Sequence, residues 1–238
     1  MNAPVASALP RPSAGFLRLG AAASALYVGA QLFQAWAFRW GLPQGSGIAA
    51  EVATRLLPLD RARQLAVFAS LAAIPLAYAA LALATARRRP GAALVGLLCG
   101  TVFATLETAY RSIDLFAGGA WAREFAATSD PAIHAALAGR FALFEEAVVA
   151  LYLPLLLAHA AASFAFAVAV WSREGWDRAL AVGWAANGVR AALRILQMHA
   201  GVAALATVNA ALYLPVSLAT YGLLTLWLTR EAQRSPAD

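Results

Sequence analysis

The chain predicts an all-α integral membrane protein, with six transmembrane helices in one bundle, both termini cytoplasmic and a mid-helix proline in spans 2, 4 and 6. Three observations carry this expectation. Of 238 residues, 62% are hydrophobic and only 13% charged, with a mean hydropathy of +0.66; soluble domains run at roughly 45–50% apolar and 25% charged. Six stretches are long enough for a bilayer core about 30 Å thick, which needs roughly 20 apolar residues of helix. The arginines also fall unevenly between the two sets of connecting segments, as membrane orientation requires.

The spans are 15–38, 64–86, 91–116, 141–171, 179–199 and 202–228, and residues 1–238 form a single polytopic membrane domain. The first follows a proline-bearing segment with no compact cleavage site, so it reads as a retained span rather than a signal peptide. Before the second, "SGIAAEVATRLL" reads as a short amphipathic helix at the surface. "RRRP" at 87–90 separates spans two and three, its proline suited to a helix start. Asp130 and Pro131 are a helix N-cap and first residue, so a short extramembrane helix is expected before span four. No polar loop divides 179–228; His199-Ala200-Gly201 is the expected turn, because glycine favours helix C-termini.

The prolines are Pro75, Pro154 and Pro215. "ALYLPLLLA" (150–158) and "ALYLPVSLA" (211–219) hint at a repeated hairpin, although chance similarity is an equal reading in a chain so rich in alanine and leucine. With both ends cytoplasmic, nine arginines lie in inner segments, among them Arg87, Arg88, Arg89 and Arg173, and six in outer loops. That bias gives the orientation and places the protein in the cell inner (plasma) membrane of a bacterium.

Composition also excludes functions. All 18 basic residues are arginine, so no lysine can form a Schiff base. The net charge of +6 is dispersed, which argues against nucleic acid as a partner. Cys99 is alone, so no intrachain disulfide or Cys-x-x-Cys motif exists. "FEEAVVA" has Ala150 where the Glu-Glu-x-x-x-Arg pattern of intramembrane CAAX-type proteases needs arginine. The three histidines do not share a depth, so no haem, other cofactor or metal is expected, and His159 reads as a hydrogen-bonded packing residue.

Helical spacing gathers the remaining polar residues into stripes. Asn187, Arg190, Arg194 and Gln197 share one face of span five; Glu107, Arg111 and Asp114 share one of span three. Span four offers Glu145, with Glu146 beside it, then Tyr152, His159 and Ser163; span six offers Asn209 and Tyr213, and span one Tyr27, Gln31 and Gln34. At 1.5 Å per residue Glu107 lies about 24 Å from the inner start of its span, so these groups converge in the outer half. Each intramembrane charge costs at least about 2.5–3.5 kcal/mol unless paired or hydrated. The expectation is that Arg190 and Arg194 pair with acids across the bundle, Glu107 and Glu145 foremost.

The functional expectation is binding or transport of a small polar or anionic solute, or a lipid headgroup. Its candidate residues are Glu107, Arg111, Asp114, Glu145, Glu146, Asn187, Arg190, Arg194 and Asn209. Two alternatives stand beside it. One is an enzyme on a lipid-borne substrate with Glu145 or Glu146 as acid or base; the other is an assembly partner whose ion pairs serve only the fold. Beyond the bilayer, no partner or oligomeric state is indicated.

Overall fold

A computed structural model describes residues 11–43 and 45–235. The proline-bearing segment through residue 10, read above as preceding a retained span, lies outside the described residues. Among the described residues eight α-helices follow one another: α1 (Ala14–Trp36), α2 (Ile48–Arg55), α3 (Pro58–Thr85), α4 (Pro90–Ser112), α5 (Gly119–Ala127), α6 (Pro131–Val170), α7 (Gly175–His199) and α8 (Leu205–Arg234). Wider π-helical turns extend α1 (Ala37–Gly41) and join α4 to α5 (Ile113–Gly118). Among the described residues there is no strand.

Prolines begin α3, α4 and α6, where the missing N–H costs nothing. Asp130 caps α6, its side chain accepting from the Ala132 amide at 2.8 Å. Here the expectation of a separate short helix before span four is corrected. The helix runs unbroken from Pro131 to Val170, with one ladder hydrogen bond missing at Pro154, so both pieces form one 40-residue helix, about 60 Å long. Span three is likewise extended through the π turn into α5. The split after His199 is as expected: Gly201 takes φ +71°, a conformation that glycine adopts without strain, and α8 begins four residues later.

Among the described residues, five helices are long and apolar enough to cross a membrane: α1, α3, α4 with α5, α6 and α8, each with its adjoining turns. The protein is therefore a multi-pass helical membrane bundle. The helix missing from that set is α7, diluted by Asn187, Arg190, Arg194 and Gln197.

The six long helices form a closed ring in chain order. α1 packs on α3, α3 on α4, α4 on α6, α6 on α7, α7 on α8, and α8 returns to α1. Where α8 meets α1 the Ser24 hydroxyl donates to the Tyr221 carbonyl, 2.8 Å, and on its other side α8 is tied to α7 by Thr220, which donates to the Gly183 carbonyl, 2.9 Å. One half of the interior is filled by aromatic rings: Tyr78, Phe166, Trp184 and Tyr221, all at most 1% exposed, with centroids 5.2–6.5 Å apart. The Tyr78 and Tyr221 hydroxyls share a 2.6 Å hydrogen bond across the ring. Glycines on α4 make room for this plug: a Cβ on Gly100 would come within 2.8 Å of the Tyr78 ring.

α2 and α5 cap the other end, where Val52, Ala122 and Phe141 form a small separate core. The expected amphipathic helix α2 is thus held against α5 and α6 through its apolar face.

Candidate functional site

Beyond the aromatic plug, toward the α2–α5 end, the interior opens into a cavity of about 360 Å³. Every helix of the ring contributes to its wall. The α7 stripe behaves as its spacing requires: Asn187 is fully buried, Arg190 and Arg194 are half-buried, and both arginines line the cavity. Glu107 and Arg111 reach it from α4, Tyr152 and His159 from α6, Asn209 and Tyr213 from α8, and Tyr27, Gln31 and Gln34 from α1.

The partners of these groups correct the expected pairing. Glu107 Oε1 accepts from Arg111 Nε at 3.1 Å, one turn along the same helix. Among the described residues, no carboxylate makes an ion pair with Arg190 or Arg194. Arg190 Nε donates to Asn187 Oδ1 at 3.2 Å, and its guanidinium lies 5.2 Å from the centre of the Tyr213 ring. Arg194 Nη1 donates to Gln197 Oε1 at 2.8 Å. Both arginines are positioned by neutral groups.

Asn187 organises the floor. With its oxygen occupied by Arg190, its nitrogen donates to His159 Nε2 at 2.8 Å and to Ser163 Oγ at 3.0 Å. His159 is the hydrogen-bonded packing residue that was expected, and it also lines the cavity. On the adjacent helix α8, Asn209 donates to Gln197 Oε1 at 2.9 Å, and the Tyr213 hydroxyl donates to Gln31 Oε1 of α1 at 2.7 Å.

The structure divides the other candidate acids from this group. Asp114 sits in the π turn and accepts from Arg55 Nη1 at 2.6 Å. It lines a second, outer vestibule of about 550 Å³ together with Glu145. Glu145 is exposed and Glu146, also exposed, faces neither chamber, so neither reaches the arginines of α7. Of the nine candidates, Glu107, Arg111, Asn187, Arg190, Arg194 and Asn209 come together.

The vestibule brings in residues that sequence reasoning missed. Buried Asp60 accepts from Arg63 at 2.7 Å and from Gln64 at 2.6 Å. Arg63 also donates to Gln34, at 3.3 Å, so one side chain of the vestibule holds one of the cavity. The available signal was the spacing: Asp60–Arg63 and Glu51–Arg55 stand three and four residues apart, where helical neighbours pair.

Charge therefore separates by depth. The cavity wall carries Arg111, Arg190 and Arg194 against Glu107, a formal +2. The vestibule wall carries Glu51, Asp60, Asp114 and Glu145 against Arg55 and Arg63, a formal −2. No group of three or more His, Cys, Asp or Glu suited to a metal occurs among the described residues. No family model, curated protein or solved structure matches the chain.

Proposed function

We propose that the protein binds a small anion in the inner cavity and serves as a binding or transport protein for that solute. The observation that carries this reading is the pair Arg190 and Arg194, facing a cavity whose one carboxylate is already held by Arg111. Two uncompensated charges at that depth demand water or a counter-ion. Guanidinium forks supported by Asn187 and Gln197 present ready donors to an anion.

In the membrane we assign six spans, with α7 as the fifth. Its place in the closed ring supports this, because its polar face turns to the cavity and Val182, Val189 and Leu196 turn outward. The hydrogen bond from Ser235 Oγ to the Pro12 carbonyl, 3.3 Å, puts the two ends of the ring side by side, as an even number of crossings requires. The arginines 87–89, 173, 178, 230 and 234 sit at that end, which we place in the cytoplasm. The cavity then lies in the outer half, and helical rather than barrel spans fit an inner membrane.

The test is ligand-induced thermal stabilisation of the protein in nanodiscs, using a panel of inorganic and carboxylate anions at neutral pH. At least one anion should raise Tm in the wild type and leave Arg190→Gln/Arg194→Gln unmoved. A panel with no effect on the wild type would remove the proposal.

A further inference from the structure

We infer that the occupant is a carboxylate with an apolar body rather than an inorganic oxyanion; this rests on the anion-binding reading above and names its ligand class. The cavity wall is polar with one apolar strip. Arg190, Arg194 and Asn209 face it from α7 and α8, and Glu107, Arg111 and His159 from α4 and α6. From α3 come only Val67 and Leu71, and Phe103, Leu155 and Leu156 extend that apolar strip. Val67 and Leu71 are each 2% exposed and belong to the main core.

A tetrahedral oxyanion directs acceptor oxygens in all directions, and sites for it surround it with donors, commonly free backbone N–H groups at a helix start or nest. Here α1, α4 and α7 begin at the opposite end of the ring; α3, α6 and α8 begin at this end, but none of their first-turn residues lines the cavity. A phosphate or sulfate would leave oxygens against Val67 and Leu71, desolvated and without a partner. A carboxylate has two oxygens in one plane, matched by one guanidinium fork, and the rest of the molecule can be hydrocarbon. At about 360 Å³ the cavity lies at the small end of the range for small-molecule sites.

Apolar transfer then sets the dependence on chain length. Each methylene buried against the Val67–Leu71 wall should tighten binding about fourfold. The experiment is calorimetric titration of the full chain in phosphatidylcholine nanodiscs with acetate, butanoate, hexanoate, decanoate, sulfate and inorganic phosphate. The expected result is a rise from acetate to hexanoate that levels off by decanoate, with no binding of sulfate or phosphate. Val67→Thr, a substitution of nearly equal volume, should reduce the gain from acetate to hexanoate.

Binding of sulfate or phosphate with no gain along the carboxylate series would overturn this inference while leaving an anion site in place. A gain that continues through decanoate would put the chain between helices in the bilayer and overturn a solute-sized ligand. An unchanged gain in Val67→Thr would overturn the role of the α3 wall. Binding of none of the six would overturn both this inference and the reading it rests on.

Discussion

Glu107 and Arg111 form their ion pair within α4, 3.1 Å apart and one turn removed, and this pairing leaves the two arginines of α7 without a carboxylate. The consequence is measurable as coupling. Removing one partner of a buried pair costs about 3–5 kcal/mol; the Arg111 side chain retains 19% exposure, which moves the expectation to the lower end. Glu107→Gln and Arg111→Gln should show a coupling energy of about 1–3 kcal/mol in a double-mutant cycle of thermal stability. The cycle of Glu107→Gln with Arg194→Gln should stay within about 0.5 kcal/mol of additivity. Strong coupling in the second cycle would restore the cross-bundle pair.

Asn187 holds three groups at once, and its loss should be felt in both stability and binding. Asn187→Ala strands the Ser163 hydroxyl and the Nε of Arg190, and leaves His159 Nε2 with only its 3.4 Å contact to Arg190 Nη2. At about 1–3 kcal/mol per stranded group, the variant should unfold at clearly lower temperature. Its anion affinity should fall as well, because Arg190 loses the contact that orients it. A variant with reduced Tm and unaltered affinity would confine Asn187 to packing.

At the opposite end of the ring, Asp177 predicts a dependence on pH. It accepts from Arg88, Ser172 and the Trp227 indole, each at 2.7 Å, and so ties the start of α7 to the α3–α4 connection and to α8. Burial alone would raise its pKa, but those hydrogen bonds and the Arg88 charge outweigh it and hold the carboxyl below its ordinary value of 3.8. A depressed native pKa means that the contribution is complete above about pH 5 and drains away as pH falls through the native value. Thermal unfolding of wild type and Asp177→Asn should therefore differ by a constant amount from pH 7 to 5, and the difference should shrink on further acidification. A difference that grows toward low pH would reverse the sign of the linkage.

Gly100 supplies the space in which the plug sits. Gly100→Ala would place a methyl 2.8 Å from the Tyr78 ring, itself bonded to Tyr221 and packed on Phe166 and Trp184. Overpacking of this kind costs about 1–3 kcal/mol. Gly91→Ala, on the same helix with nothing within 4 Å, should be neutral or slightly stabilising. Equal effects from the two substitutions would dissociate the glycine from the plug.

What could be read from sequence was local. The stripe Asn187–Arg190–Arg194 follows from the helical period, and its inward orientation from the cost of a charge in lipid. Which acid it meets depends on helix order around the ring and on the rotation of each helix, and neither is encoded in spacing. The stripe on α6 shows the error. Glu145, Tyr152 and His159 are seven residues apart, and a straight helix drifts about 20° per heptad from that repeat. Two heptads carry the face from exposed Glu145 to buried His159. The fused helix α6 was hidden for a different reason: Asp130 and Pro131 mark a start, and Gly139 after them reads as a stop, yet the helix continues through it into the span.

Ring closure in chain order has a consequence for biogenesis. α7, with too little hydropathy to qualify as a span by itself, emerges directly after α6 and directly before α8, its two neighbours in the ring. If α7 crosses as proposed, its arginines are shielded on one side as soon as it enters the bilayer and on the other one helix later. The adjacency of Pro12 and Ser235 would let the ends be joined and the chain reopened at residues 171–174, leaving every helix contact of the ring unchanged. Such a circular permutant would deliver α7 first, with neither neighbour yet made. It would share its final packing with the native protein and differ in the order of insertion, so a loss of membrane integration would show that synthesis order protects the charged helix.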